Sequence, residues 1–261
     1  MQKTFFLVFI FLLIAVDEGL SFNSVSVTIN YSESNYELFE QVALAKDRIL
    51  FFRAQVLNKK GALWPKKAIG LKKGQVVTTW PSWKLAQELE SVWAEETDVF
   101  GYDIEYDSPV DETNNVTRTI KELSRYLEDI SGKYNHKIKL SAGVNYAFGS
   151  RHIAELSRAE EIHIHANQLL RRYPAKDKRG QDYVEWAVNL AEKARTVNPK
   201  VEVLFAVLMS GMDVEQAIKV AESLSLKMKE RKMEFSGFTM WAETQDIAEF
   251  LRALRGDNHM R

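Results

Sequence analysis

Eight short runs rich in Val, Ile, Leu and aromatic residues recur along the chain, at residues 24–30, 48–57, 75–80, 98–107, 137–148, 161–167, 200–208 and 235–241. Stretches of helical periodicity lie between them: 33–46, 82–96, 113–130, 150–158, 181–196 and 213–231, with 244–255 closing the chain. Only the segment 58–74, which carries Gly61, Pro65 and Gly70, lacks a helical pattern. Strands that alternate with helices pair in parallel, because each crossover returns the chain to the same edge. Eight such units in 261 residues predict a single (β/α)8 barrel occupying residues 22–261. A doubly wound open sheet is the alternative. No glycine-rich phosphate loop follows any strand, which argues against its nucleotide-binding form.

Residues 1–21 read as a secretory signal. Lys3 precedes an apolar run from Phe5 to Val16, which is short for a bilayer span, and Gly19 and Ser21 are small residues at the places a signal peptidase reads. An uncleaved amino-terminal anchor is the alternative. The protein is accordingly expected outside the cytoplasm, as a monomer without stable membrane insertion once the signal is removed. There is no cysteine, so an exported chain would rely on its core alone. The formal net charge of −1 offers no electrostatic case for nucleic acid or an anionic membrane. Two glycosylation sequons occur, at Asn30 and Asn115.

The fourth run, Asp98-Val-Phe-Gly-Tyr-Asp-Ile-Glu-Tyr-Asp107, holds the densest chemistry. Successive side chains of a strand face opposite ways, so Gly101, Asp103, Glu105 and Asp107 share one face. Three carboxylates on one face of a buried strand are tolerated where that face lines a polar cavity, and crowding keeps one acid protonated for general-acid work. Other strands carry polar residues at alternate positions: Arg53 and Gln55; Lys139, Ser141 and Asn145; His163, His165 and Asn167. Aromatics stand at the strand ends, among them Trp80, Tyr146, Phe148 and Trp241. Barrel active sites form at the carboxyl ends of the strands, so these aromatics are expected as stacking platforms for sugar rings beside the acids.

This fourth run resembles the Asp-x-x-Asp-x-Asp-x-Glu motif of glycoside hydrolase family 18, the chitinases and endo-β-N-acetylglucosaminidases, with Asp98, Asp103 and Glu105 in register and Tyr106 following. The eighth run, Gly237-Phe-Thr-Met-Trp241, is similar to that family's closing Gly-x-Met-x-Trp, with Trp one place early. The resemblance implies a retaining hydrolysis of N-acetylglucosamine-containing glycans without a cofactor or metal. Glu105 would be the general acid, Asp103 would orient the substrate's acetamide, and Trp241 would floor the sugar subsite. Trp80, Tyr146, Asn145, Asn167, Asp107, Arg53 and Gln55 are the remaining candidate sugar contacts. The chain departs from the pattern in two places. Gly101 stands where the family has its middle Asp, and the sixth strand offers His165 and Asn167 where the family places a Tyr.

Two other readings stay open at this point. One is a carbohydrate-binding barrel without catalysis, which those departures favour. The other is a metal-dependent hydrolase built on His163 and His165. The second is disfavoured by the scarcity of histidine, five in the chain, and by the position of the pair on the sixth strand. Intact-mass measurement of exported protein is expected to give a start near Phe22; retention of Phe5 to Val16 would contradict a cleaved signal.

Overall fold

The computed structural model describes residues 25–30, 33–52, 74–105 and 108–255. Its strands are β1 Ser26–Asn30, β2 Arg48–Phe52, β3 Gln75–Trp80, β4 Val99–Tyr102, β5 Lys139–Asn145, β6 Glu161–His165, β7 Glu202–Met209 and β8 Gly237–Trp241. They pair in sequence order, and β8 returns to β1, with Thr28 opposite Thr239, so the sheet closes. Every pairing is parallel. The helices are α1 Glu33–Val42, α2 Trp83–Glu88, α3 Glu90–Trp93, α4 Val110–Thr113, α5 Val116–Tyr134, α6 Ile153–Leu156, α7 Asn167–Leu170, α8 Tyr183–Val197, α9 Val214–Glu230 and α10 Thr244–Arg255. This is the expected (β/α)8 barrel. No described helix is long and apolar enough to cross a membrane.

Local chemistry starts and orients the helices. Ser82, Asp182 and Asp213 accept hydrogen bonds from the backbone N–H of Leu85, Glu185 and Gln216, capping α2, α8 and α9. On α5 the stripe Ile120, Leu123, Leu127 and Ile130 is buried against the barrel. The outer faces of the strands supply the other half of that core, with Ile29, Ile49, Phe100, Val144, Ile164, Phe205 and Met240 all buried.

The alternate residues turn inward, and this interior is polar. Glu161 on β6 accepts from Arg48 on β2 at 2.6 Å and from Lys139 on β5 at 3.2 Å, and Lys139 also reaches Glu202 on β7 at 2.6 Å. Arg48 and Glu161 are 7% and 1% exposed, so the pair is removed from water and depends on its partners. These residues sit at the starts of their strands, below the mouth. Outside the barrel, Asp47 accepts from the backbone N–H of Val27 and Leu44 and from the Arg255 guanidinium, tying the last helix to the first two strands.

Several strands stop sooner than the apolar runs imply. β4 ends at Tyr102, although Asp103 N–H still donates to Trp80 O at 2.8 Å. Beyond it the chain turns: Glu105 N–H donates to Ser108 Oγ at 3.0 Å and Ser108 N–H to Glu105 O at 3.1 Å. β6 ends at His165, and Asn167 opens α7 instead of extending the strand face. The extension of β2 expected to residue 57, and the segment 58–74 up to residue 73, lie outside the described residues.

Glu161→Leu is expected to destabilise the fold by about 3–5 kcal/mol, because it leaves the Arg48 cation buried without a carboxylate. Lys133→Ala, which removes a lysine that is 63% exposed from Glu90, is expected to change stability far less. Equilibrium denaturant unfolding of both variants checks the contrast.

Candidate functional site

Asp103 leaves β4 toward the barrel axis. Its Oδ1 lies 3.3 Å from His165 Nε2, across the end of β5. That approach is open because position 143 is glycine: a Cβ there would stand 2.3 Å from Asp103 Oδ1. His165, His163 and Trp241 form a cluster of three rings, with His163 at 5.1 Å and Trp241 at 6.5 Å and 15° from His165 and 6.2 Å between those two. His163 in turn is 2.7 Å from Thr239 Oγ1 on β8. A chain of polar groups thus runs from β4 through β6 to β8, with Trp241 beside it and the apolar trio Leu50, Val77 and Val99 packed against the same indole.

The charges of this chain follow from its burial. Burial alone would raise the Asp103 carboxyl, but the charge and hydrogen bond of His165 outweigh it and hold the group below its ordinary value. Burial alone would lower His165, but Asp103 outweighs it, Glu105 adds to the effect, and the imidazole is raised. His163 is pushed down to about 3, by burial first and then by the neighbouring His165 charge. Between their ordinary values of 3.8 and 6.5 Asp103 and His165 are therefore oppositely charged, and His163 beside them is neutral. Among the described residues no group of three or more metal-ligating side chains assembles.

Glu105 occupies different surroundings. It is exposed at the mouth and lines a cleft of about 420 Å³ together with Asn145, Tyr146, His165, Asn167, Arg172 and Asp177. The exit that carries it is held from two sides. Asn145 Nδ2 donates to Ile104 O at 3.2 Å and lies 3.5 Å from Glu105 Oε1, while its Oδ1 accepts from the N–H of Phe148 and Gly149. Behind the exit, buried Glu112 accepts from Tyr102 Oη at 2.7 Å and Ser82 Oγ at 2.6 Å, locking the loop after β4 onto the loop after β3. Desolvation first, and then the hydrogen bond to Glu112, push the Tyr102 phenol far up, so it stays a donor.

The structure sorts the sequence candidates. Glu105, Asn145, Tyr146 and Asn167 line the cleft, whereas Asp103 and Trp241 line a separate small cavity of about 30 Å³ inside the barrel, and His165, which lines the cleft, pairs with Asp103. Asn145 is 8% exposed and spends its amide on backbone groups, so it acts as a staple more than as a free sugar contact. Tyr146 is fixed by the loop after β6: its hydroxyl donates to Asp177 and accepts from Arg179 Nη2, and the Arg179 guanidinium lies 5.0 Å over its ring. Trp80 is a correction. It is wholly buried on the outer face of β3, stacked on Phe100 at 6.4 Å and beside Trp93 at 6.1 Å, because it has the opposite parity to inward-facing Thr79. Asp98 lies at the amino end of β4 and accepts from Val76 N–H, far from the mouth. Phe148 is buried against His152. Arg53, Gln55 and Asp107 lie outside the described residues. The single-strand reading missed Gly143, Thr239, Arg172 and the Asp177–Arg179 pair. An inward Gly two residues before Asn145 was the available signal for the first of these.

No family model matches the chain, and no curated protein matches it. Solved structures do. A glycoside hydrolase family 18 N-acetylglucosaminidase from Paenibacillus barengoltzii is 12% identical, covering 90% of this chain and 99% of its own, with a TM-score of 0.56. A protein assigned as a fructose-1,6-bisphosphate aldolase from Coccidioides immitis is 9% identical, covering 90% and 89%, also at 0.56. A β-glucosidase from Exiguobacterium marinum is 8% identical, covering 87% and 86%, at 0.51. The fold is a TIM barrel. At these identities the likeness extends to the fold and no further, and it is shared by hydrolases and an aldolase alike.

The Asp103–His165 pair has a definite pH signature. A depressed Asp contributes stability that is present above its ordinary value of 3.8 and lost as pH falls through its lower folded value. A raised His contributes stability that is present below its ordinary 6.5 and lost as pH rises through its higher folded value. The stability difference between the parent and Asp103→Asn is therefore expected to be largest between about pH 4 and 6.5 and to shrink on both sides. Thermal unfolding across that range checks it.

Proposed function

We propose that this barrel acts on N-acetylglucosamine-containing glycans as a retaining glycoside hydrolase, exported from the cytoplasm, with Glu105 as general acid and Asp103 as the carboxylate that supports the acetamide. The observation that carries the reading is the division of the two acids leaving β4. Asp103 faces inward as an anion paired with an imidazole, and Glu105 stands two residues later in the open cleft. Neighbouring carboxyl groups in different surroundings are what an acid and a fixed anion require. The resemblance of the β4 and β8 motifs to family 18 supplies the substrate class.

In this reading the sugar at the scissile bond lies over Trp241. Glu105 in its protonated form gives its proton to the glycosidic oxygen as the bond to the anomeric carbon breaks. The acetamide oxygen of the same sugar closes onto that carbon, and the Asp103 carboxylate accepts the acetamide N–H and balances the positive charge that develops. Water, deprotonated by the Glu105 carboxylate, then opens the ring intermediate and leaves the configuration retained. Tyr146 and Asn167 border the subsites.

A second reading is favoured by one observation. Glu105 is exposed at the mouth, whereas a general acid ordinarily sits in a sheltered, apolar pocket. That arrangement suits a barrel that binds glycans without cleaving them, unless the glycan itself covers the acid.

Glu105→Gln is expected to lower kcat on chito-oligosaccharides by about two to four powers of ten while sugar affinity changes little. Asp103→Asn is expected to slow turnover as well. Kinetics and calorimetric binding on the same proteins check both. A parent that binds chito-oligosaccharides and hydrolyses none would select the binding reading, and a Glu105→Gln protein with normal turnover would sink the assignment of the acid.

A further inference from the structure

Asp103 needs a partner, and its own strand has none to offer. The next inward position on β4 is Gly101, where a Cβ would stand 2.8 Å from Thr79 Oγ1 and 3.0 Å from Thr78 O. The site has no room for an acid side chain there without displacing β3. On the other side, Gly143 leaves a gap through which the Asp103 carboxylate reaches the far strand. The group it meets is His165, whose ring is held by His163 and Trp241 and whose side chain is 11% exposed against 23% for Asp103.

We infer that His165 is the positioning residue for Asp103, holding its carboxylate in the space at Gly143 in place of any side chain at position 101. The inference rests on the function proposed above for its catalytic consequence, but the pairing itself can be read without activity. It makes this site a cross-barrel device, in which β6 sets the geometry and charge of an acid on β4. The titratable groups around the imidazole are Asp103 and Glu105 from the β4 exit and His163 from its own strand; Trp241 from β8 is neutral. His163, which is neutral and turned to Thr239, does not compete for Asp103.

The experiment is a double-mutant cycle with His165→Ala, His165→Gln and Gly143→Ala, each made in the parent and in Asp103→Asn, with folding monitored by circular dichroism. In the parent, His165→Ala and Gly143→Ala are each expected to lower kcat on chito-oligosaccharides by about tenfold or more with KM little changed, and His165→Gln, which keeps a neutral donor, to recover part of the loss. In Asp103→Asn the same changes are expected to do almost nothing further. Equal losses in both backgrounds, or no loss in the parent, would overturn the inference while leaving the glycosidase reading standing. In parallel, ¹⁵N NMR of the imidazoles is expected to show the His165 midpoint falling in Asp103→Asn. If the parent hydrolyses no glycan, the hydrolase reading fails, and the NMR result alone decides: a midpoint that moves supports the pairing, and one that does not refutes it.

Discussion

A closed parallel barrel turns every second side chain of eight strands into a space sealed from bulk water, so each charge placed there must find its counter-charge across the barrel. That constraint governs this protein from bottom to top. At the strand starts Glu161 gathers Arg48 and Lys139 from two other strands, and Lys139 extends the set to Glu202. At the strand ends Asp103 meets His165. Arg48 on β2 reaches Glu161 on β6 across the barrel, Lys139 comes to Glu161 from the adjacent β5, and Asp103 and His165 meet over the end of the one strand between them.

The two ends differ in exposure, and the difference separates stability from chemistry. The lower pair is almost wholly removed from water, so it serves register and closure. The upper pair is partly open to a cleft, bordered by an indole and a second imidazole, and lies beside an acid that faces solvent. Barrels of this class carry their chemistry at that end. Rigidity there comes from groups outside the chemistry: Asn145 stapling two strand exits, Glu112 locking two loops, and Asp177 with Arg179 immobilising Tyr146.

Glycine shapes the site by what it leaves out. A side chain at 101 would collide with β3, and one at 143 would occupy the place of the Asp103 carboxylate. With glycine at both positions, the Asp103 carboxylate turns away from its own strand and toward β6. The TIM-barrel likeness is shared among enzymes of unrelated chemistry.

By itself the sequence determined the alternation of strands and helices and the period-2 spacing that sets Asp103 apart from Tyr102 and Ile104. Those are local properties, set by backbone geometry and by neighbours a few residues away. Tertiary structure decided which parity faces inward on each strand, and there Trp80 parted from the mouth and joined Trp93 and Phe100 in the outer core. It also decided where β4 stops, since a strand ends when its neighbours no longer offer hydrogen bonds, and so Glu105 stands in a turn instead of on the strand face. The meeting of Asp103 with His165, 62 residues away, is fixed by the register of β5 between their strands, which only the closed sheet sets.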